Sequence, residues 1–396
     1  MDTCIMDVKP LVQSPIPPST RLHKFLAACI TGNASDLHLA TDRPPMLRVD
    51  GKLIVIQGES SLPKADVDAF AAELLDASQS KILDARGDCD GAITVDGARF
   101  RFNIFRRGGN LCVALRRLEE RFRNLRDLGL PESLYELCDL PDGLVIVAGP
   151  TGAGKSTTLA ALIDRINQTH SCHIITIEDP IEYVHAPALA LINQRQVGMD
   201  CPGFNDALVA SLREDPDVIL VGEVRELETI RTAITAAETG HLVLTTVHAG
   251  DCVGVVERLV SVFPAGEQEG IRRQISLVLR AVVTQQLLIC DGTLANSTMA
   301  HANRRSRVVA SEILMVNSAV ANLIAIGKSS QIYSSIEIGA GQGMQTLEQD
   351  LARLHVSGHI SETTALAFAK NQRTLRDRVN RLRAQPSARA NSSAIA

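Results

Sequence analysis

The chain has 396 residues, enough for two domains with sizeable cores, and its 40 basic and 45 acidic side chains leave a net charge of −5. That balance gives no global attraction to nucleic acid, and 3% aromatic residues with no tryptophan provide little base-stacking surface. Nine cysteines are scattered without a C-x-x-C pair, which suits a reducing compartment and argues against both a disulfide framework and a zinc ribbon.

Residues 1–18 read as a disordered, proline-bearing leader that lacks the basic start and long apolar run of a secretory signal. No stretch of about 18 apolar residues predicts a membrane span. An amphipathic helix is expected from Thr20 to Ile30. Short alternating segments follow at 37–40, 46–50 and 52–56, the last two joined by an Asp50-Gly51 hairpin signal. Residues 64–85 read as helical. ITVDGARFRFNIF predicts a hairpin turning at Asp96-Gly97, and NLCVALRRL follows Gly108-Gly109 as a further strand. Residues 19–118 therefore form an α+β domain, and the charged stretch 119–131 reads as a linker.

Strands are expected at 143–148, 173–178, 190–195, 218–223 and 241–247, alternating with helices. That alternation implies a largely parallel sheet covered on both faces. From Pro264 onward the pattern turns mainly helical, with one strand near 307–314. Cys172 and Cys290, in apolar surroundings, read as small core residues. The main domain spans 132–373, and 374–396 carries a last helix and a polar, small-residue tail expected to be disordered.

The first expected strand of that domain runs into Gly149-Pro150-Thr151-Gly152-Ala153-Gly154-Lys155-Ser156-Thr157. Strand, G-x-x-x-x-G-K-S spacing and following helix are together the context of a phosphate-binding loop. Glycines let successive N–H groups wrap an anion, and the helix adds unpaired donors and the positive end of its dipole. Lys155 can reach the β- and γ-phosphates of a nucleotide, and the Ser156 hydroxyl can join the shell of Mg²⁺.

In an open parallel sheet, ligands bind beyond the carboxyl ends of the strands. Three more expected strands end in polar groups at that edge: Glu178 and Asp179 in HIITIEDPIEYVH, Glu223 in DPDVILVGEVRELETI, and His248 in TGHLVLTTVHAGD. A carboxylate can orient an attacking water or hold metal-bound water. Asp179, before a proline, reads equally well as a cap or a solvated loop residue. His241 precedes its strand and suits either a nucleotide contact or a strand-start histidine with a satisfied hydrogen bond.

Taken together, GPTGAGKST, ITIEDPIEYVH, LREDPDVILVGEVRELETI and TGHLVLTTVH resemble, in order, the Walker A, Asp, Walker B and His boxes of the secretion and pilus ATPase superfamily (GspE/PilT-like), most closely its pilus-retraction branch. The likeness includes ASDLHLATDRPPMLRVDGKL near the start and QIYSSIEIGAGQGMQTLEQDL near the end. It implies an α/β fold in which a RecA-like P-loop NTPase domain follows a smaller PAS-like α+β domain. It also implies a cytoplasmic homo-hexamer that hydrolyses ATP with Mg²⁺ where one subunit meets the next. Glu178 and Glu223 would then serve water activation and Mg²⁺ coordination, with Glu178 the preferred base and Glu223 a metal ligand beside Ser156. Arg101 and Arg116 match arginines that approach the phosphates. The implied partners are an inner-membrane platform protein of the PilC type and a paralogous motor, with membrane association only through partners and no nucleic acid.

Absence of a zinc insert between 250 and 310 favours the retraction branch. One departure points the other way: the AIRNLIRE-like motif of that branch here reads AVANLIAIGK at 319–328, with Ala321 and Ala325 in place of two arginines. Residues 290–306 read as an inserted surface loop. Two alternatives to pilus retraction are a type II or type IVB secretion ATPase and a regulatory nucleotide-binding module without sustained turnover.

Overall fold

A computed structural model describes residues 16–49, 51–118, 122–293 and 307–384. Residues 1–15 of the expected leader (1–18), residues 294–306 of the expected inserted loop (290–306) and the tail from 385 lie outside them. The described chain divides into a first unit, residues 16–118 with Glu182–Val184, and a second unit that begins at Phe122.

The first unit opens with the helix Arg21–Thr31, capped by the Thr20 hydroxyl accepting from the amide of His23. Strands β1 (Asp36–Ala40), β2 (Met46–Val49), β3 (Lys52–Val55), β4 (Asp88–Val95), β5 (Ala98–Arg107) and β6 (Asn110–Arg117) form an antiparallel sheet in the order β3-β2-β1-β6-β5-β4. Asp96 and Gly97 both take positive φ, as a two-residue hairpin turn with right-handed strand twist demands. One sheet face carries Phe100, Phe102 and Ile104, all buried, and packs with Phe25 and Phe70 from the helices. The stretch 64–85 is two helices, Lys64–Leu74 and Ala77–Arg86. Asp76 breaks it by forming a capping box with Gln79, whose two reciprocal hydrogen bonds satisfy the new helix start.

In the second unit, β7 (Gly143–Ala148), β8 (His173–Glu178), β9 (Leu191–Gln196), β10 (Val218–Val221), β11 (Leu242–Val247), β12 (Leu279–Ile289) and β13 (Arg307–Met315) form one sheet ordered β13-β12-β7-β11-β10-β8-β9. All neighbours are parallel except β12 and β13. Along β7 the side chains alternate between two cores. Leu144, Ile146 and Ala148 face one, and Val145 and Val147 the other. Two covered faces explain why the sequence shows an unbroken apolar run rather than alternation, and each such buried Leu, Ile or Val contributes about 1.5–3 kcal/mol.

Three expectations need correction. β12 was read as part of a mainly helical region; the helix Gln268–Val278 passes directly into it at Leu279, so no turn residue marks the change of period. Leu125 and Leu130, inside the expected linker, are buried in the second unit's core beside a short helix, Leu125–Leu128. Cys172 and Cys290 are half-buried rather than enclosed, and no disulfide joins the described cysteines. Among the described residues no helix is long and apolar enough to cross a membrane.

Two polar features are fixed inside the second unit. Lys370 lies 3.0 Å from Asp251 and 3.4 Å from Glu312. Asp251 caps the helix Cys252–Ser261, and Glu312, only 1% exposed, accepts the Cys252 amide. The His185 ring stacks on Phe122 with centroids 4.5 Å apart and is 7% exposed. Burial pushes its pKa down from 6.5 to about 4, so the folded state binds a proton there less readily than the unfolded chain. Stability contributed by neutral His185 is complete above pH 6.5 and is lost as pH falls towards 4. Urea midpoints should therefore show this residue costing about 2 kcal/mol between pH 7 and pH 5, and His185→Phe should remove that part of the acid sensitivity.

Candidate nucleotide site

The site begins where β7 stops. Gly149 has φ +147°, and a Cβ there would sit 2.4 Å from the Gln285 carbonyl oxygen on β12. A backbone carbonyl held in a sheet cannot swing aside, so only glycine fits. Gly152 and Gly154 follow at φ +79° and +91°, and the helix Lys155–Thr169 starts from Gly154 with no side-chain cap. A helix start without a side-chain cap, opening directly out of a glycine loop, is the arrangement in which first-turn N–H groups receive an anion. Lys155 Nζ donates to the carbonyls of Gly149 and Pro150 at 3.1 and 3.0 Å, folded over the loop mouth. Thr151, Gly152 and Ser156 are exposed there, Thr157 is half-buried and Ala153 is buried.

Register then brings the acids and one histidine to the same edge. β11 lies beside β7, β10 beside β11, and β8 beside β10. At about 4.8 Å per strand, His248 begins one strand from the loop, Glu223 two and Glu178 three, some 14 Å across. Side-chain hydroxyls lock this edge: Thr245 donates to the carbonyl of Val221 and Thr246 to that of Gly222. Strand β10 ends at Val221, so Glu223 stands on the following turn and not in the strand itself.

Glu178 Oε1 accepts from the Thr176 hydroxyl at 2.6 Å and from the Gln194 amide at 3.1 Å. Glu223 is paired with Arg225 at 2.7 Å and lies 3.8 Å from His248 Nε2. Burial lowers the pKa of His248, and Lys155 and Arg225 lower it further against the opposing pull of Glu223. The imidazole is therefore neutral near pH 7. Asp179 follows Glu178 directly in the turn before Pro180.

Two sets of expected residues are not at this edge of the second unit. His241 stands at the start of β11, and six residues at about 3.3 Å place it some 20 Å from His248's end. Its Nδ1 is 2.9 Å from the Ala236 carbonyl, which identifies it as a residue closing the preceding helix's C-terminus and not a nucleotide contact of its own protomer. Arg101 and Arg116 belong to the first unit, where they are cross-strand partners on β5 and β6. Thr176, Gln194 and Arg225 were missed by sequence reasoning. Only Thr176 carried a signal, as a polar residue inside an apolar strand. Gln285 was missed with its strand; its side chain donates to Thr158 at 2.9 Å behind the loop.

Comparison with known proteins decides the family. The family model described as type II/IV secretion system protein matches residues 13–362. The chain belongs to this family. Its fold is accordingly the RecA-like P-loop type preceded by a smaller PAS-like domain. Within the family it is 42% identical over 348 residues to the "Type IV pilus retractation ATPase PilT" of Pseudomonas aeruginosa, spanning 88% of this chain and 97% of that protein. A crystal structure of the pilus retraction motor PilT with bound ADP superposes with a TM-score of 0.83 at 39% identity, covering 91% of this chain and all of that one. The ATPase DotB of Legionella pneumophila superposes at 0.75 with 26% identity, covering 91% and 96%.

Two measurements check the site. Gly149→Ala should abolish nucleotide binding in a fluorescent-nucleotide titration while the chain stays folded by circular dichroism. His248 should titrate below 6.5 by NMR, and Arg225→Ala should move that titration upward, since a neighbouring positive charge is removed.

Proposed function

We propose that this chain is a motor ATPase that powers type IV pilus retraction, the movement underlying twitching. The observation that carries the reading is the meeting of an uncapped phosphate loop with Glu178, Glu223 and His248 at one edge of one parallel sheet. A nucleotide sensor needs the loop alone. Two carboxylates and a neutral imidazole beside it suit the orientation of water for hydrolysis. Identity to PilT along nearly the full length of both chains supports a filament as the load.

In this reading ATP displaces Lys155 from the carbonyls of Gly149 and Pro150, and its ammonium then offsets charge on the β- and γ-phosphates. The loop from Gly149 to Thr157 wraps the phosphates, with backbone N–H groups such as those of Gly152, Gly154 and Ser156 turned towards them. Ser156 and Glu223 would hold Mg²⁺, which when bound spreads phosphate charge. Glu178, oriented by Thr176 and Gln194, acts as the base that directs water. His248, neutral near pH 7, can donate a hydrogen bond to phosphate. The working form is a cytoplasmic homo-hexamer with Arg101 and Arg116 of one protomer meeting the phosphates of the next. Work passes to an inner-membrane platform protein of PilC type, with a paralogous motor as a further partner.

One observation favours a secretion role. The helix Ser318–Ala325 presents Ala321 and Ala325, one turn apart and half-buried, where retraction motors carry arginines. Gene deletion separates the two readings. Excess surface pili without twitching supports retraction, and normal pili with lost protein export supports secretion. In vitro, Lys155→Ala should lower steady-state ATP turnover at least ~100-fold; turnover near that of the unaltered protein would remove the site from consideration.

A further inference from the structure

The strand register of the first unit sets four charged residues in one row. Arg48 on β2 is opposite Asp36 on β1, Asp36 is opposite Arg116 on β6, and Arg116 is opposite Arg101 on β5. Directly opposed residues of an antiparallel sheet share a face. On β5 the buried Phe100 and Phe102 flank Arg101 and point the other way, so the row lies on the face turned away from the first unit's core.

Asp36 stands out within it. It is 6% exposed, and its Oδ1 accepts from Arg116 Nε at 2.8 Å while Oδ2 accepts from the Ser35 hydroxyl at 2.7 Å. Arg48 Nε lies 3.7 Å from Oδ2. Burial alone would raise the pKa of Asp36, but the hydrogen bonds from Ser35 and Arg116 hold it below the ordinary value. His38, two residues further along β1, is kept neutral near pH 7 chiefly by burial, against the pull of Asp36, and adds no charge to the row.

The choice of donor atom matters more than the sum of charges. Asp36 engages Arg116 through Nε, which leaves both terminal nitrogens of the planar fork for another acceptor on a side chain 68% exposed. Arg101, by contrast, has Asp90 at 3.9 Å as its one ion-pair partner among the described residues, and both are exposed. We propose that Asp36 is a positioning residue that clamps Arg116 by its Nε and presents the two free nitrogens to the polyphosphate held by a neighbouring protomer. This rests on the reading above that Arg101 and Arg116 meet nucleotide across a protomer boundary. Fixing the fork beforehand removes rotamer entropy that binding would otherwise cost.

MgATP hydrolysis by the assembled full-length protein tests it. Asp36→Asn should raise the half-saturating MgATP concentration about 5- to 10-fold, with a smaller effect on turnover at saturation. Arg116→Ala should raise it at least as far, and Asp36→Asn added to Arg116→Ala should change nothing more. Arg116→Lys should restore little of the loss in Arg116→Ala, because a single ammonium cannot hold Asp36 on one side and present a planar pair of N–H groups on the other. Ser35→Ala, a milder loss of the other anchor, should shift half-saturation about 2- to 3-fold in the same direction and only while Arg116 is present. If Asp36→Asn leaves half-saturation unchanged, lowers it, or shifts it equally without Arg116, the clamp is refuted while the arginine reading stands. If Arg116→Ala itself behaves like the unaltered protein, the arginine reading falls and takes the clamp with it.

Discussion

Because the Gln285 carbonyl lies where a side chain at position 149 would begin, strand β7 can leave the sheet only as glycine. That contact sets how tightly the loop turns, hence where the helix Lys155–Thr169 starts and which way its first turn faces. β12 supplies the carbonyl and runs parallel to β7 from Leu279 to Thr284. The anion site is thus shaped from the side by a strand that contributes no charged group to it.

The rest of the edge follows from parallel register. β7, β10 and β11 are buried along their whole length, so their polar atoms must find partners within the sheet or at its ends. Thr245 and Thr246 solve this by bonding to carbonyls at the end of β10, which also fixes the turn that bears Glu223. Glu178 is held by Thr176 of its own strand and Gln194 of the neighbouring one. Glu178 and the hydroxyl that steadies it share one strand, and hydroxyls of β11 hold the carbonyls at the turn that bears Glu223, so core packing and site geometry are one problem here.

Much of this could be read from residues alone, for identifiable reasons. The glycine loop after β7, the hairpin at Asp96-Gly97 and the buried strands carry short-range signals: fixed glycine spacing, a two-residue turn, unbroken apolar runs. β12 stayed hidden because helix and strand meet at Val278–Leu279 without a punctuating residue. The break at Asp76 was written in its capping pair with Gln79, yet the apolar spacing on either side masked it. His241 and His248 look alike as strand-flanking histidines. Only the direction of the strand separates them: His241 lies at the far end beside the preceding helix, and His248 at the end where β7 gives way to Gly149. Arg225 and Gln194 gave no sign, since their importance lies in which carboxylate they touch.

Lys370 carries a consequence for the limits of the polypeptide. It neutralises Glu312 deep in the second unit, and its backbone amide, with that of Asn371, binds the fully buried Glu348. A chain cut before this residue would leave Glu312 with the Cys252 amide but without its counter-charge, and Glu348 with the Tyr333 hydroxyl but without its two amide donors, a loss of several kcal/mol. The stretch that begins at Lys370 is therefore a structural member of the second unit. The loop after His248 depends on it too, since Asp251 shares that ammonium.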